Sequence, residues 1–182
     1  KKMGWHGSDT RALTFENMRV PESALLGELD VGFSQMMTAL VGGRISVAAL
    51  ALGLAEGALN AALKYSHERE AFGKKIYRFQ GIGMQLAEIA TEIEAARHLV
   101  YHASYLKDQG SDVVKAAAMA KLKASETAVR ASNIALQVHG GYGFIKEFQV
   151  ERFFRDAKVL TIGEGTSEVQ KLVILKQLMK GL

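Results

Sequence analysis

Cysteine is absent from the 182-residue sequence, so it has no disulfide framework and no thiolate chemistry. Pro21 is its only proline, and the long remainder without one is rich in Ala, Leu, Lys and Glu, which predicts long helices. No apolar run approaches the roughly eighteen residues of a membrane span. Val47 to Leu54 is apolar, but Arg44 and Glu56 bracket it, which reads as a buried helix. Neither sign of charge dominates. A net charge of +4 suits phosphate-bearing ligands and is too weak to indicate nucleic acid. The sequence starts at Lys1 and shows no signal-peptide pattern, so the expectation is a piece of a longer chain. What is present is a core: 48% of residues are hydrophobic and 23% charged, a balance that favours packing over disorder.

Residues 1–29 differ from the rest. Arg11 to Val20 alternates loosely through Leu13, Phe15, Met18 and Val20 and reads as one β-strand. A lone strand cannot pair its own backbone, and nothing later resembles its partner, so the expected sheet lies upstream of Lys1. From about Asp30 the pattern turns helical. A first helix runs from Val31 to Ser66, with Gly42-Gly43 as a weak point and a middle apolar on most sides. Glu68 to Arg78 reads as a loop. A second helix covers Phe79 to Asp108, with Ile82, Leu86, Ile89, Ile93 and Ala96 on one stripe. Gly110 and Ser111 stop it and cap an Ala-rich third helix, which reaches His139. Shorter helices follow at Glu147–Lys158 and Thr166–Lys180. The predicted fold class is all-α, an up-and-down four-helix bundle over residues 30–182, preceded by the strand segment.

Near the C-terminus, Leu160 to Gln170 sets Glu164 between Gly163 and Gly165, just before a helix. Ser167 with Gln170 reads as a capping box, and Thr166 is a second candidate N-cap. A carboxylate there is either a solvated turn residue or a positioned base beside free backbone N–H groups. His98 and His102 lie four apart on a helix, but no inward Glu-x-x-His pair accompanies them, so no metal site is expected.

Several separated stretches agree with one family. They are Gly42-Gly43-Arg44-Ile45, Glu68-Arg69-Glu70-Ala71-Phe72-Gly73-Lys74 with Phe79-Gln80, and Gln137-Val138-His139-Gly140-Gly141-Tyr142-Gly143. Arg155-Asp156-Ala157-Lys158 and Ile162-Gly163-Glu164-Gly165-Thr166 complete them. In this order the chain resembles the C-terminal half of the flavin-dependent acyl-CoA dehydrogenases. Met3-Gly4-Trp5, Gly7 to Thr10 and Arg19-Val20-Pro21 resemble the end of that family's middle β-domain. The resemblance implies a β-domain tail at 1–29 and a helical-bundle domain at 30–182. It also implies a homotetramer or dimer without a membrane span, in the cytoplasm of a bacterium or the mitochondrial matrix of a eukaryote.

The implied reaction is α,β-dehydrogenation of an acyl-CoA thioester, with FAD as cofactor and an electron-transfer flavoprotein as acceptor. Glu164 stands at the family's base position, taking the α-proton while a hydride passes from the β-carbon to flavin N5. Some members carry the base just before the bundle arginine, where this chain has Gly43. The resemblance gives Gly165 close approach to the thioester and Arg44 the CoA end of the substrate. It gives Arg69, Phe72 and Gln80 contacts with FAD, commonly that of a neighbouring subunit. Gln137, Gly140 and Gly141 would lie along the FAD adenylate, and Thr166 and Glu168 would touch FAD at the last helix. Many members have Tyr where this chain has Gly163, which implies a wider pocket for medium or branched acyl chains. As an incomplete chain it is expected to fold and oligomerise but to bind FAD weakly and turn over nothing. The other readings are an acyl-CoA oxidase or monooxygenase on the same scaffold and a non-catalytic or DNA-associated bundle. Retention of Glu164 disfavours the monooxygenase, and the modest charge disfavours DNA.

Overall fold

A computed structural model describes residues 1–180; Gly181 and Leu182, the end of the expected 30–182 domain, lie outside the described residues. Its elements are α1 (Gly32–Glu68), β1 (Glu70–Ala71), β2 (Lys74–Lys75), α2 (Gln80–Asp108), α3 (Val114–His139), α4 (Val150–Leu160) and α5 (Ser167–Leu178). The all-α bundle is as the sequence implies. Short 3-10 turns occupy Glu22–Ala24, Ile76–Arg78 and Gly140–Phe144.

The core is built on alanine. Ala48, Ala51, Ala55, Ala58 and Ala62 of α1 recur at alternating three- and four-residue steps and are buried, as are Ala117, Ala124, Ala128, Ala131 and Ala135 of α3. Such faces let two helix backbones approach closely. On α2 the stripe is Leu86, Ile89, Ile93, Ala96, Val100 and Ala103, all buried. Ile82, placed on that stripe by its spacing, is only half-buried.

The fourth rod of the bundle is made of two helices. Phe148 lies edge-on to Tyr65, Phe153 abuts Gly57, Glu164 abuts Gly43, and Val173 shares a cavity with Val41. Rising numbers on one side match falling numbers on the other, so α4 and α5 run in succession antiparallel to α1. The break between them is the segment that contains Glu164.

Several expectations are corrected. α1 continues as helix through Gly42-Gly43. By length and apolar composition alone it could cross a membrane, yet it packs within the bundle against α2, α3 and α4. Its middle is not covered all round: Leu50 and Leu63 are exposed, because the neighbouring helices cover mainly the alanine face. The 11–20 segment is exposed and enters no ladder among the described residues, since pairing requires a second strand. The segment read as a loop after α1 holds a tight hairpin, with Ala71 paired to Lys74 around Phe72-Gly73. Both turn residues have positive φ, at 50° and 77°, the type I′ geometry. α3 is capped not by Ser111 but by Val113, without a side-chain hydrogen bond, and just before it the Asp112 carboxylate accepts from the Val114 N–H at 3.1 Å. At the N-terminus, the Trp5 N–H donates to Asp156 Oδ1 at 2.6 Å and its indole N–H to the Asp156 carbonyl at 3.0 Å, which ties this segment to α4.

Candidate functional site

The break between α4 and α5 carries backbone strain at a non-glycine residue. Helical bonding persists to Gly163, whose N–H donates to the Val159 carbonyl at 2.8 Å. Glu164 then turns left-handed with φ 56°, and Gly165 follows with φ 93°. A helix commonly ends on glycine at such a left-handed position, and a side chain there costs about 1–2 kcal/mol. The Ser167 N–H closes the turn on the Thr161 carbonyl at 3.0 Å, and the Thr166 hydroxyl caps α5 by accepting from the Val169 N–H at 3.3 Å.

The capping box expected of Ser167 and Gln170 is absent because Gln170 is used elsewhere. Its side-chain amide, fully buried, donates to the Glu164 carbonyl at 3.1 Å and to the Gly165 carbonyl at 2.9 Å. A Cβ at Gly165 would lie 2.8 Å from that same amide nitrogen. Glycine is thus required at 165 by the turn itself, apart from any approach of a thioester.

Two cations reach the same turn from other helices. Lys121 of α3, wholly buried, donates from Nζ to the Gly165 carbonyl at 2.7 Å. Arg44 of α1, also buried, places Nε 3.5 Å from the Glu164 carbonyl. Burial lowers the pKa of Arg44 from its usual value, against the attraction of Glu164. Burial, and secondarily the charge of Arg44, pushes Lys121 below the usual lysine range, while Glu164, Glu126 and Glu168 oppose. The Glu164 carboxylate itself lies over Gly43, where a Cβ would stand 2.5 Å from Oε2. Among the described residues the Glu164 backbone N–H donates to no carbonyl, which leaves a donor beside the carboxylate.

The residues matched to the cofactor fall into two places. Thr166 and Glu168 border an open groove of about 520 Å³ with Arg130, Lys158 and Ile162, next to the Glu164 turn. Arg69, Gly140 and Gly141 border another, of about 510 Å³, with Tyr65, His139 and Tyr142. The second lies at the far end of the bundle: Arg69 is roughly 37 Å from Arg44 along α1, at 1.5 Å per residue. Gln137 sits exposed one turn before Gly140, Gln80 is exposed at the start of α2, and Phe72 is 95% exposed at the hairpin tip. One chain therefore does not bring Arg69, Phe72 and Gln80 to its own Glu164.

The distant groove offers a cation beside uncovered backbone. Gly140 has φ 59°, and a Cβ at either Gly140 or Gly141 would meet nothing within 4 Å, so bare backbone faces the groove. The Arg69 guanidinium sits 5.9 Å from the Tyr142 ring centroid, beside that backbone and suited to a phosphate. His139 stacks on Tyr65 at 4.1 Å, and its Nδ1 lies 2.8 Å from the Ala135 carbonyl. Arg155 pairs with Glu151 at 2.6 Å. Among the described residues no cluster of three His, Asp or Glu could hold a metal.

Sequence reasoning missed Lys121 and the true use of Gln170. Lys121 stands in the alanine register of α3, between Ala117 and Ala124, and a charge on an apolar stripe is the signal that marks it. Gln170 left no comparable mark, because a capping box explained it locally.

Comparison with known proteins supplies the frame for this geometry. The family model described as acyl-CoA dehydrogenase, C-terminal domain, matches residues 30–179. A probable acyl-CoA dehydrogenase YngJ of Bacillus subtilis is 53% identical over 98% of this chain and 47% of its own length. The caffeyl-CoA reductase-Etf complex subunit CarC of Acetobacterium woodii is 48% identical, again over 98% of this chain and 47% of its own. The structure of butyryl-CoA dehydrogenase from Megasphaera elsdenii superposes with a TM-score of 0.96 at 47% identity, over 98% of this chain and 47% of that one. The chain spans about half the length of the curated relatives it matches.

Proposed function

We propose, from the premise that this chain belongs to the acyl-CoA dehydrogenase family and carries its C-terminal domain, that Glu164 is the base removing the α-proton of an acyl-CoA thioester. The observation that carries this is the turn itself: a strained, left-handed Glu164 with its carboxylate over a glycine and its N–H without a backbone acceptor. Strain of this kind persists where surrounding structure over-determines it, and it gathers at functional sites.

FAD, when bound, supplies the acceptor for the hydride that leaves the β-carbon. The chain's own residues do the rest. Glu164 takes the α-proton onto its carboxylate, which the left-handed turn sets over Gly43. The Glu164 N–H donates to the thioester oxygen as negative charge develops there, and the buried Arg44 cation adds a favourable potential. Gly163 leaves room beside the base, since a Cβ there would make only an ordinary 3.6 Å contact with the Val159 carbonyl. This supports medium or branched acyl chains. The name of the Acetobacterium woodii relative favours a second direction, in which protonated Glu164 returns a proton to the α-carbon of an enoyl-CoA. The same name, with its Etf complex, supports an electron-transfer flavoprotein as partner.

The half-sites at opposite ends of the bundle support an oligomer in which Arg69, Phe72 and Gln80 serve the FAD of a neighbouring copy. Apolar side chains exposed on α1 (Phe33, Met36, Leu50) and α5 (Leu172, Leu175, Leu178) give such copies surfaces to bury.

The test is anaerobic bleaching of oxidised flavin by acyl-CoA in the intact enzyme. Glu164→Gln is expected to keep FAD and thioester affinity while reduction slows by about three orders of magnitude or more, as for an essential base. Reduction of the variant at the wild-type rate would remove Glu164 from the reaction.

A further inference from the structure

Glu164 and Gly165 present two adjacent carbonyls to the interior, and three helices send donors to them. α5 supplies the Gln170 amide, whose two N–H groups serve both carbonyls. α1 supplies Arg44 to the first, and α3 supplies Lys121 to the second at 2.7 Å. Among the described residues the Lys121 side chain is the largest fully buried one. Its stripe on α3 is otherwise alanine, where an apolar side chain would cost less to bury than an ammonium. A buried ammonium on such a stripe needs a task that an apolar side chain cannot perform.

We infer that Lys121 is a positioning residue for the base: its ammonium pins the Gly165 carbonyl and so locks the left-handed Glu164 turn, which aims the carboxylate over Gly43. The inference rests on Glu164 as base. The lock has a directional logic. Gln170 belongs to α5 and moves with the turn, so it fixes local shape but not placement. Lys121 belongs to α3, the central helix, and ties the turn to the rigid core. Losing it leaves the Gly165 carbonyl with the Gln170 amide alone, and the turn is then tied to another helix only by the long 3.5 Å contact of Arg44 with the Glu164 carbonyl, which lets it relax toward ordinary backbone. Lys121 touches no reacting atom in this scheme, so the loss reads out as misplacement of the carboxylate and not as lost binding.

The experiment uses the intact enzyme and two readouts. The first is deuterium uptake from D2O at the α-carbon of 3,3-dimethylbutyryl-CoA, which has α-hydrogens but no β-hydrogen, so proton removal is observed without oxidation. The second is backbone amide exchange, by mass spectrometry, of the peptide spanning 161–167, which needs no turnover. In Lys121→Met, α-deuteration at saturating thioester is expected to slow about 10- to 100-fold, the penalty of an ångström-scale misplacement. The half-saturating thioester concentration stays within about twofold, as it does when an interaction acts only after binding. The melting temperature is not lowered, and amide protection drops in the 161–167 peptide alone. Unchanged deuteration, or unchanged protection of that peptide, would overturn the inference. So would a variant that melts lower with protection lost across the bundle, because Lys121 would then be a structural residue. Failure of the base assignment shows differently: Glu164→Gln would deuterate the thioester as fast as the wild type, while the amide readout would still decide whether Lys121 pins the turn.

Discussion

Replacing Gly43 by alanine sets helix stability and site geometry against each other. Gly43 lies well inside α1, and an interior helical glycine costs about 1 kcal/mol relative to alanine. Gly43→Ala should therefore stabilise the protein, which for a domain of this size raises the melting temperature by roughly 2–4 °C. The added methyl would stand 2.5 Å from Glu164 Oε2 and 2.8 Å from its carboxyl carbon. Ordinary contact begins near 3.4 Å, so the carboxylate must withdraw by about 1 Å. It is the end of a flexible side chain, so the displacement costs little stability. A misplacement of that size costs about 100-fold in rate. The assay pairs a thermal melt with stopped-flow flavin reduction on the intact enzyme. Slower reduction together with a higher melting temperature is the expected result. A wild-type rate would refute the packing of base on glycine, and a lowered melting temperature would show that Gly43 serves the backbone instead.

Two further perturbations probe the other half of the chain. Mixing Glu164→Gln subunits with Arg69→Ala subunits, each impaired alone, should restore activity in roughly a quarter of sites by random co-assembly, because each restored site draws on two copies. No recovery after confirmed subunit exchange would place both residues in one chain's site. Burial holds His139 below the usual imidazole range, so the unfolded chain takes up that proton first as pH falls. Its contribution is complete above about pH 6.5 and is lost as pH drops through the folded value, with a slope of at most about 1.4 kcal/mol per pH unit. His139→Asn should narrow the difference between melting temperatures at pH 7.5 and 5.5; an equal difference would refute the assignment.

Much of this was legible in the sequence because periodicity reports burial. The stripe from Leu86 to Ala96 and the missing prolines specify helices whatever their partners are. The hairpin was hidden because Phe72-Gly73 puts an aromatic at a left-handed position where Asn or Asp is usual. The 11–20 segment alternates like a strand, yet alternation states only which face is apolar and not whether a partner exists. Around the proposed base, Glu164 and its flanking glycines were visible, but Lys121 and Gln170 were not. Their hydrogen bonds join residues five, six and forty-four positions apart, and only packing of α3 against the α4–α5 break brings the last of these together.

The central claim is that Glu164, held left-handed over Gly43, removes the α-proton. Its most direct test is α-deuteration of 3,3-dimethylbutyryl-CoA in D2O by the intact enzyme, wild type against Glu164→Gln. Wild-type deuteration and a variant slower by about a thousandfold or more, with thioester affinity retained, is the predicted result. Equal rates in the two proteins would contradict it.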